Sequence, residues 1–82
     1  MRQTRPTVDI VIPVLNEARI LEQSVTTLRM FLERRFPYSA RIVIADNGST
    51  DGTRDVAERL VHAHSDVDYP FFPRPVEAGR FE

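Results

Sequence analysis

The stretch that decides the fold is Arg41-Ile-Val-Ile-Ala-Asp-Asn-Gly-Ser-Thr-Asp-Gly-Thr53. An apolar run of strand length ends at an acid, and a turn rich in glycine and small polar residues follows it. A helical pattern then begins near Thr53. In open α/β sheets, ligands bind beyond the carboxyl ends of the strands, where turns of this kind lie. Asp46 and the small residues after it are therefore expected to form one wall of a binding site.

The sequence before this stretch repeats the order of strand, polar turn and helix. A β-branched run predicts a strand at 8–13, and Pro13 is expected to close it because proline has no N–H for a sheet ladder. Apolar residues at spacings of three and four then predict a helix over 17–35. Asn16 is the expected N-cap of that helix, and Glu17 suits the positive end of its dipole.

The second unit follows the opening stretch. A strand is expected at 41–45, apolar without alternation, as in sheets that are covered on both faces. A helix over 52–64 is expected after it, capped by Thr50 or Asp51. A third strand is possible at 67–72, although Pro70 within it and Pro73 after it limit it to an edge or an extended loop.

Two β–α units in succession predict an α/β fold with a parallel pair of strands. The 82 residues are too few for a complete sheet of this class, so we expect a single incomplete domain over 1–82. Its β-α-β-α portion spans 7–64, and an irregular tail spans 65–82.

Composition excludes several functional classes. The 11 basic and 12 acidic residues give a net charge of −1, which predicts no nucleic-acid partner. All the basic residues are arginine, so lysine chemistry is excluded. The absence of cysteine excludes disulfides and thiolate metal sites and fits a cytoplasmic location. No apolar run approaches the roughly 18 residues of a membrane span.

The two strand-end turns carry the candidate chemistry. One turn offers Asn16 and Glu17, and the other offers Asp46, Asn47 and Ser49. Parallel pairing would place these turns side by side, with carboxylates suited to the N–H and O–H donors of a base or a ribose. The helix N-termini behind them would favour a pyrophosphate. A lone Asp46 could instead be a turn former that bonds its own backbone.

Both turns resemble motifs of the family 2 glycosyltransferases. Pro13-Val-Leu-Asn-Glu17 matches the Pro-x-x-Asn-Glu signature of their first strand, and the segment 46–53 looks like their Asp-Asp/Asn-Gly-Ser-x-Asp-Gly-Thr motif. The resemblance covers about residues 7–64 and implies a partial GT-A (Rossmann-like) fold. The sequence of the second motif, with Ile-Ala-Asp-Asn-Gly-Ser, is similar to that of the polyprenyl- or dolichyl-phosphate sugar synthases.

The resemblance also implies roles for individual residues. Asp46 would contact the base, and Asp51 and Gly52 would shape the second turn. The implied substrate-binding set is Pro13, Asn16, Glu17, Asp46, Asn47, Gly48 and Ser49.

The function implied is that of an inverting-type glycosyltransferase. Its donor would be a UDP- or GDP-sugar held with Mg²⁺ or Mn²⁺, and its acceptor a polyprenyl phosphate. The family's metal-binding Asp-x-Asp and catalytic base come later than the matched motifs, so no catalytic or metal-binding residue is assigned here. Asp66-Val-Asp68 spells the tripeptide but follows a fading helix, and we interpret it as a decoy. We expect this chain to bind no metal and to be inactive alone.

Three alternatives stay open. Residues 47–58 have acidic and polar residues at several positions of an EF-hand calcium loop, with Glu58 last. Metal ligands on one face of a strand would alternate along the chain, as do His62, His64, Asp66 and Asp68. A solvated helix end explains these residues more simply. The chain could also be a non-enzymatic remnant or small interaction module that self-associates through an open sheet edge.

Overall fold

The computed structural model describes residues 7–73 and has the expected alternation of strands and helices. The elements are β1 (Thr7–Val14), α1 (Ala18–Arg35), β2 (Ser39–Asp46), α2 (Thr53–Ala63) and β3 (Val67–Asp68). The predicted α/β class and the order of the elements are confirmed.

The three strands form one parallel sheet in the order β1-β2-β3. In the register of β1 and β2, Val11 is opposite Val43 and Val14 is opposite Asp46. The two strands therefore end at the same level. The turns that follow them lie side by side, as the sequence predicted.

Pro13 lies inside β1, so the prediction that it closes the strand is wrong by one residue. The carbonyl of Val14 accepts a hydrogen bond from Asn47 N at 3.0 Å, so Val14 presents its backbone groups toward β2. Neighbouring residues of a strand present theirs to opposite sides, and the nitrogen of Pro13 therefore faces the open edge. Proline is tolerated there because no partner needs its N–H.

Both helices pack on the same face of the sheet. The even-numbered side chains of β2 point into the core, and Ile42 and Ile44 are fully buried there. Leu21 and Val25 of α1 meet them, each burial worth roughly 1.5–3 kcal/mol. The full core cluster is Val14, Leu21, Val25, Ile42, Ile44, Ala57, Leu60 and Val67.

The other face of the sheet is covered by no helix within residues 7–73. Val11 is 58% exposed on that face. The unbroken apolar run in β2 had predicted cover on both faces, and only one is covered in the part of the chain that the structure describes.

The third strand is shorter than the 67–72 expected from the sequence. β3 is two residues long, and a single bridge then joins Phe71 to Asp46. Pro70 interrupts the ladder because it lacks an N–H, but its carbonyl accepts from Asp46 N at 3.0 Å. Phe72 N donates to Asp46 O at 2.8 Å. The chain thus stays beside the end of β2, while the rest of the expected irregular tail, 74–82, lies outside the described residues.

The predicted N-cap of α1, Asn16, is wrong, whereas Asp51, one of the two predicted caps of α2, accepts from Thr53 N, the first N–H of that helix, at 2.8 Å. Glu17 occupies the N-cap position of α1 and Gly52 that of α2, and neither cap position makes a side-chain hydrogen bond to its helix. Within residues 7–73, neither helix is long and apolar enough to cross a membrane.

Candidate functional site

Two turns lie together beyond the carboxyl ends of β1 and β2. We call residues 15–18 the first turn and residues 47–53 the second turn, each range including the first residue of the helix that follows. The hydrogen bond from Asn47 N to Val14 O fixes the start of the second turn against the end of β1. Every further contact between the turns described below joins residues 33 to 36 positions apart in the chain.

Asn16 links the first turn to the second. Its backbone has φ 55°, a left-handed conformation that asparagine adopts more readily than most residues. Its Oδ1 accepts hydrogen bonds from Thr50 N at 2.8 Å and from Asp51 N at 3.2 Å, and its own N–H donates to Ser49 Oγ at 2.8 Å. Asn16 therefore caps the backbone of the second turn, not the helix that follows it.

The second turn makes the reciprocal contacts to the start of α1. Thr53 Oγ1 accepts from Glu17 N at 2.8 Å, and Asp51 Oδ2 accepts from Ala18 N at 3.4 Å. The first N–H groups of a helix have no partner inside it, so these side chains supply an N-cap from a distant part of the chain. Each turn thus satisfies backbone groups of the other.

Thr53 is a residue that the sequence-based prediction missed. It is fully buried, and its hydroxyl also donates to Asp51 Oδ1. Asp51 Oδ1 accepts from Thr53 N as well, at 2.8 Å. These two bonds from Thr53 hold the pKa of the Asp51 carboxyl below its usual value. The Asp-Gly-Thr spacing was the available signal, because it puts a hydroxyl two residues after the acid.

Asp46 is the last residue of β2 and lies between the two turns. It is fully buried, with 0% of its surface exposed. Its Oδ1 accepts from Ser49 N at 2.9 Å, and its Oδ2 accepts from the hydroxyl of Tyr69 at 2.5 Å. The bond to Ser49 N is the local contact expected of a strand-end turn former. A structural role for Asp46 is therefore present whatever else the residue does.

The electrostatics of Asp46 and Tyr69 are coupled. Burial by itself would raise the pKa of Asp46, but hydrogen bonds from Tyr69, Ser49 and the backbone of Gly48 outweigh it and lower the pKa. Burial and the bond to Asp46 both raise the pKa of Tyr69. The pair is thus an ionised carboxylate and a neutral phenol that donates to it.

The glycines of the second turn differ in what they require. Gly48 has φ 92°, a conformation that favours glycine over residues with a Cβ. Gly52 has φ −82°, and a Cβ added there would lie 3.8 Å from Ala18 Cβ, an ordinary contact. The backbone conformation therefore favours glycine at position 48, whereas the turn-shaping role expected of Gly52 has no reason of that kind.

The remaining predicted site residues border the same region. A shallow pocket beside the first turn is lined by Asn16, Glu17, Asp51 and the first residues of α1. Asn47 is exposed in the second turn, and Pro13 is exposed on the uncovered side of the sheet. Pro13 thus lies on the face opposite the helices.

The acids of the Asp66-Val-Asp68 segment are engaged elsewhere. Asp66 accepts from Arg29 Nε at 3.1 and 3.3 Å, and Asp68 pairs with Arg41 at 3.1 Å. Within residues 7–73, no group of three histidine, cysteine or acidic side chains could hold a metal ion. Glu58, the last position of the calcium-loop alternative, lies on α2 and pairs with Arg54 at 3.6 Å.

Comparison with known proteins identifies the family. The family described as Glycosyl transferase family 2 matches residues 9–79, which is most of the chain. This chain belongs to glycosyltransferase family 2. The match continues beyond residue 64, the limit expected from the two motifs, and so includes β3 and the segment after it.

Two curated relatives of this family 2 chain are named as a succinoglycan biosynthesis protein and a glycosyltransferase. The succinoglycan biosynthesis protein ExoA of Rhizobium meliloti (strain 1021) is 57% identical over 70 residues, covering 85% of this chain and 20% of its own length. Glycosyltransferase AglE of Haloferax volcanii is 32% identical over 69 residues, covering 83% of this chain and 22% of its own length. The family 2 chain therefore spans about a fifth of the relatives that it matches.

A solved structure gives the same fold. The mannosyltransferase PcManGT from Pyrobaculum calidifontis, determined in complex with GDP-Man and Mn²⁺, superposes with a TM-score of 0.61 at 26% identity. The alignment covers 88% of this family 2 chain and 20% of the mannosyltransferase. The predicted partial GT-A fold is thereby confirmed.

Proposed function

We propose that this chain forms the nucleoside-binding part of a glycosyltransferase that uses a nucleoside diphosphate sugar, UDP- or GDP-linked. The observation that carries the proposal is the pair of cross-linked turns at the ends of β1 and β2, with the ionised Asp46 between them. Family membership supports it, as does the GDP-Man in the mannosyltransferase structure.

The chemistry of the turns favours a nucleoside over a diphosphate. Carboxylates accept hydrogen bonds from the N–H groups of a base or the O–H groups of a ribose. The backbone N–H groups of Glu17, Ala18 and Thr53, which a phosphate could have used, already donate to side chains. Asp46 and Asp51 would also repel a phosphate. We therefore assign the diphosphate and the sugar to parts of the parent enzyme beyond the described residues.

We also assign the divalent metal ion to parts of the parent enzyme beyond the described residues. Mg²⁺ or Mn²⁺ is proposed for the parent enzyme, with the Mn²⁺ of the mannosyltransferase structure in support. The described residues do not fit such an ion, because Asp66 and Asp68 are paired with arginines and no other cluster of ligands is found among residues 7–73. No step of the reaction is therefore assigned to a metal here.

Isothermal titration with UDP, GDP and their sugars, with and without Mn²⁺, tests the proposal. We expect binding to the wild-type chain and its loss in Asp46→Ala. Asp9→Ala is the matched control, because Asp9 is an exposed acid in the first half of β1 and should leave binding unchanged. Absence of binding to the folded wild-type chain, or equal binding by Asp46→Ala, would refute the nucleotide assignment.

The activity of the chain alone is a separate proposal. We infer that it transfers no sugar, to a polyprenyl phosphate or to any other acceptor, because a catalytic base is not assigned within it. Incubation of the purified chain with labelled nucleotide sugar and polyprenyl phosphate is the measurement. Formation of a labelled lipid product would overturn this inference.

The alternative is a non-enzymatic interaction module. β1 pairs with β2 on one side only within residues 7–73, which leaves an edge open to a second copy. Concentration-dependent dimerisation in analytical ultracentrifugation, together with no nucleotide binding, would favour it. We also propose a cytoplasmic location from the lack of cysteine, and fractionation of cells that express the protein would test it.

A further inference from the structure

Asp46 is the predicted contact to the base, yet nothing outside the protein can reach it in this conformation. Its exposed fraction is 0%, and each of its carboxylate oxygens already has a donor. One donor is the backbone N–H of Ser49, which is fixed by the turn. The other is the hydroxyl of Tyr69, which is carried by a partly buried side chain that packs against the edge of the core.

The hydroxyl of Tyr69 makes the same kind of contact that a ligand would make. An O–H donating to a carboxylate oxygen is chemically equivalent to the N–H of a base or the O–H of a ribose donating to that oxygen. We propose that Tyr69 is an affinity-determining residue whose hydroxyl occupies the ligand's position on Asp46 Oδ2 until a nucleoside donor replaces it. This inference rests on the function proposed above.

The surroundings of Tyr69 allow the exchange without unpairing of the backbone. The main chain after Tyr69 is held by the bonds from Asp46 N to Pro70 O and from Phe72 N to Asp46 O. These bonds do not involve the phenol, so its rotation leaves them intact. Tyr69 is half-buried, and its ring lies 6.4 Å from that of Phe71.

Every ligand that displaces the Tyr69 hydroxyl loses the free energy of its hydrogen bond to Asp46. A ligand that offers a donor to Asp46 recovers the hydrogen bond that Tyr69 gives up. A ligand that offers only an acceptor at this position leaves the carboxylate without a partner, which buried polar groups tolerate poorly. Asp46 therefore selects for bases that present an N–H, and Tyr69 lowers the affinity of every ligand that displaces its hydroxyl.

Tyr69→Phe tests the proposal directly. The variant keeps the ring and removes the competing donor, so nucleotide affinity should rise by about tenfold, equivalent to ~1.4 kcal/mol and at the lower end for a hydrogen bond to a charged group. Tyr38→Phe is the matched control. Tyr38 packs edge-on against Phe36, with ring centroids 5.7 Å apart and away from Asp46, so its loss should leave affinity unchanged.

Two further measurements separate exchange from a merely structural role. In an Asp46→Asn background, Tyr69→Phe should have a much smaller effect, because the charged acceptor is gone. In the Tyr38→Phe variant, which retains Tyr69 as its only tyrosine, the isotope-labelled phenol should show an NMR shift on nucleotide addition as its bond to Asp46 breaks. The second measurement does not depend on whether any Tyr69 variant folds.

The outcomes distinguish this inference from the function on which it rests. Wild-type binding with equal or weaker binding by a folded Tyr69→Phe overturns the inference and leaves the function standing. Wild-type binding with an unmoved Tyr69 resonance does the same. Failure of both wild type and Tyr69→Phe to bind any nucleotide overturns both. Measurable wild-type binding, with about tenfold tighter binding by Tyr69→Phe, supports both.

Discussion

Replacement of Thr53 by valine should show how much the contact between the two turns contributes to stability. Valine has nearly the same shape as threonine, so the substitution removes the hydroxyl and leaves the volume. The hydroxyl accepts from Glu17 N at 2.8 Å and donates to Asp51. Because Thr53 is fully buried, water reaches the position poorly after the change.

The expected loss follows from the Glu17 N–H. An unsatisfied donor in a part-buried position costs about 1–3 kcal/mol of unfolding free energy. Asp51 is exposed and can bond to water instead, so no further loss is assigned to it. For an m-value near 1 kcal/mol/M, as in small domains, the urea midpoint should fall by about 1 M or more.

Urea unfolding followed by far-UV circular dichroism is the assay, and Thr53→Ser is the control. Serine keeps the hydroxyl and loses one buried methyl group, worth about 0.8 kcal/mol. An NMR titration adds a second readout, because the pKa of Asp51 should return toward its usual value in Thr53→Val and stay low in Thr53→Ser. The reasoning is refuted if valine and serine destabilise the chain equally and Asp51 titrates alike in both.

Three further predictions use the same unfolding assay. Asn16→Ala should be less stable than Asn16→Gly by about 1 kcal/mol, because alanine is strained at the positive φ of this residue. If the glycine variant were the less stable of the two, the left-handed conformation of Asn16 would be contradicted. The stability contributed by Asp46 is present above its usual pKa of 3.8 and is lost as the pH falls through its lower folded pKa. Asp46→Asn should therefore lose stability less steeply than the wild type as the pH falls below 3.8, by at most about 1.4 kcal/mol per pH unit for one proton, and an unchanged slope would argue against the lowered pKa. Ile44→Ala in the core should lower the free energy of unfolding by about 2–5 kcal/mol. Val11 is 58% exposed, so Val11→Ala should change the free energy of unfolding by no more than about 0.5 kcal/mol. Similar losses in the two variants would mean that the outer face of the sheet is covered in solution.

The parts of the fold that follow from local rules could be predicted from the sequence. The apolar run before Asp46 and the periodic residues of α1 fixed the type and order of the elements, because hydrophobic periods report secondary structure directly. Helix-length connections between the strands then required parallel pairing. The side-by-side turns followed from that pairing alone.

The cap of α1 was predicted wrongly because capping was assumed to be local. Asn16 immediately precedes a helical pattern, which is the usual N-cap signal. Its side chain instead caps the second turn, and Thr53 caps α1 in return. These partners are 34 and 36 residues apart. Only the register of β1 on β2 brings them within hydrogen-bonding distance.

Tyr69 had no signal in the sequence either. It follows a short strand and precedes Pro70, which indicates an extended segment and says nothing about the direction of its hydroxyl. The bridge between Phe71 and Asp46 carries that segment past the end of β2, and the phenol then reaches the carboxylate. Local propensity does not encode this contact, since its partners are 23 residues apart.

The sequence by itself determined the α/β class, the strand ending at Asp46 and the membership of a glycosyltransferase family, because apolar periods and motif spacings are local properties of a chain. Only the tertiary structure decided which groups on the two turns satisfy each other. It also decided that Asp46 is closed off by Tyr69. Hydrogen bonds between distant residues depend on strand register and side-chain direction to within an ångström, and packing alone sets both.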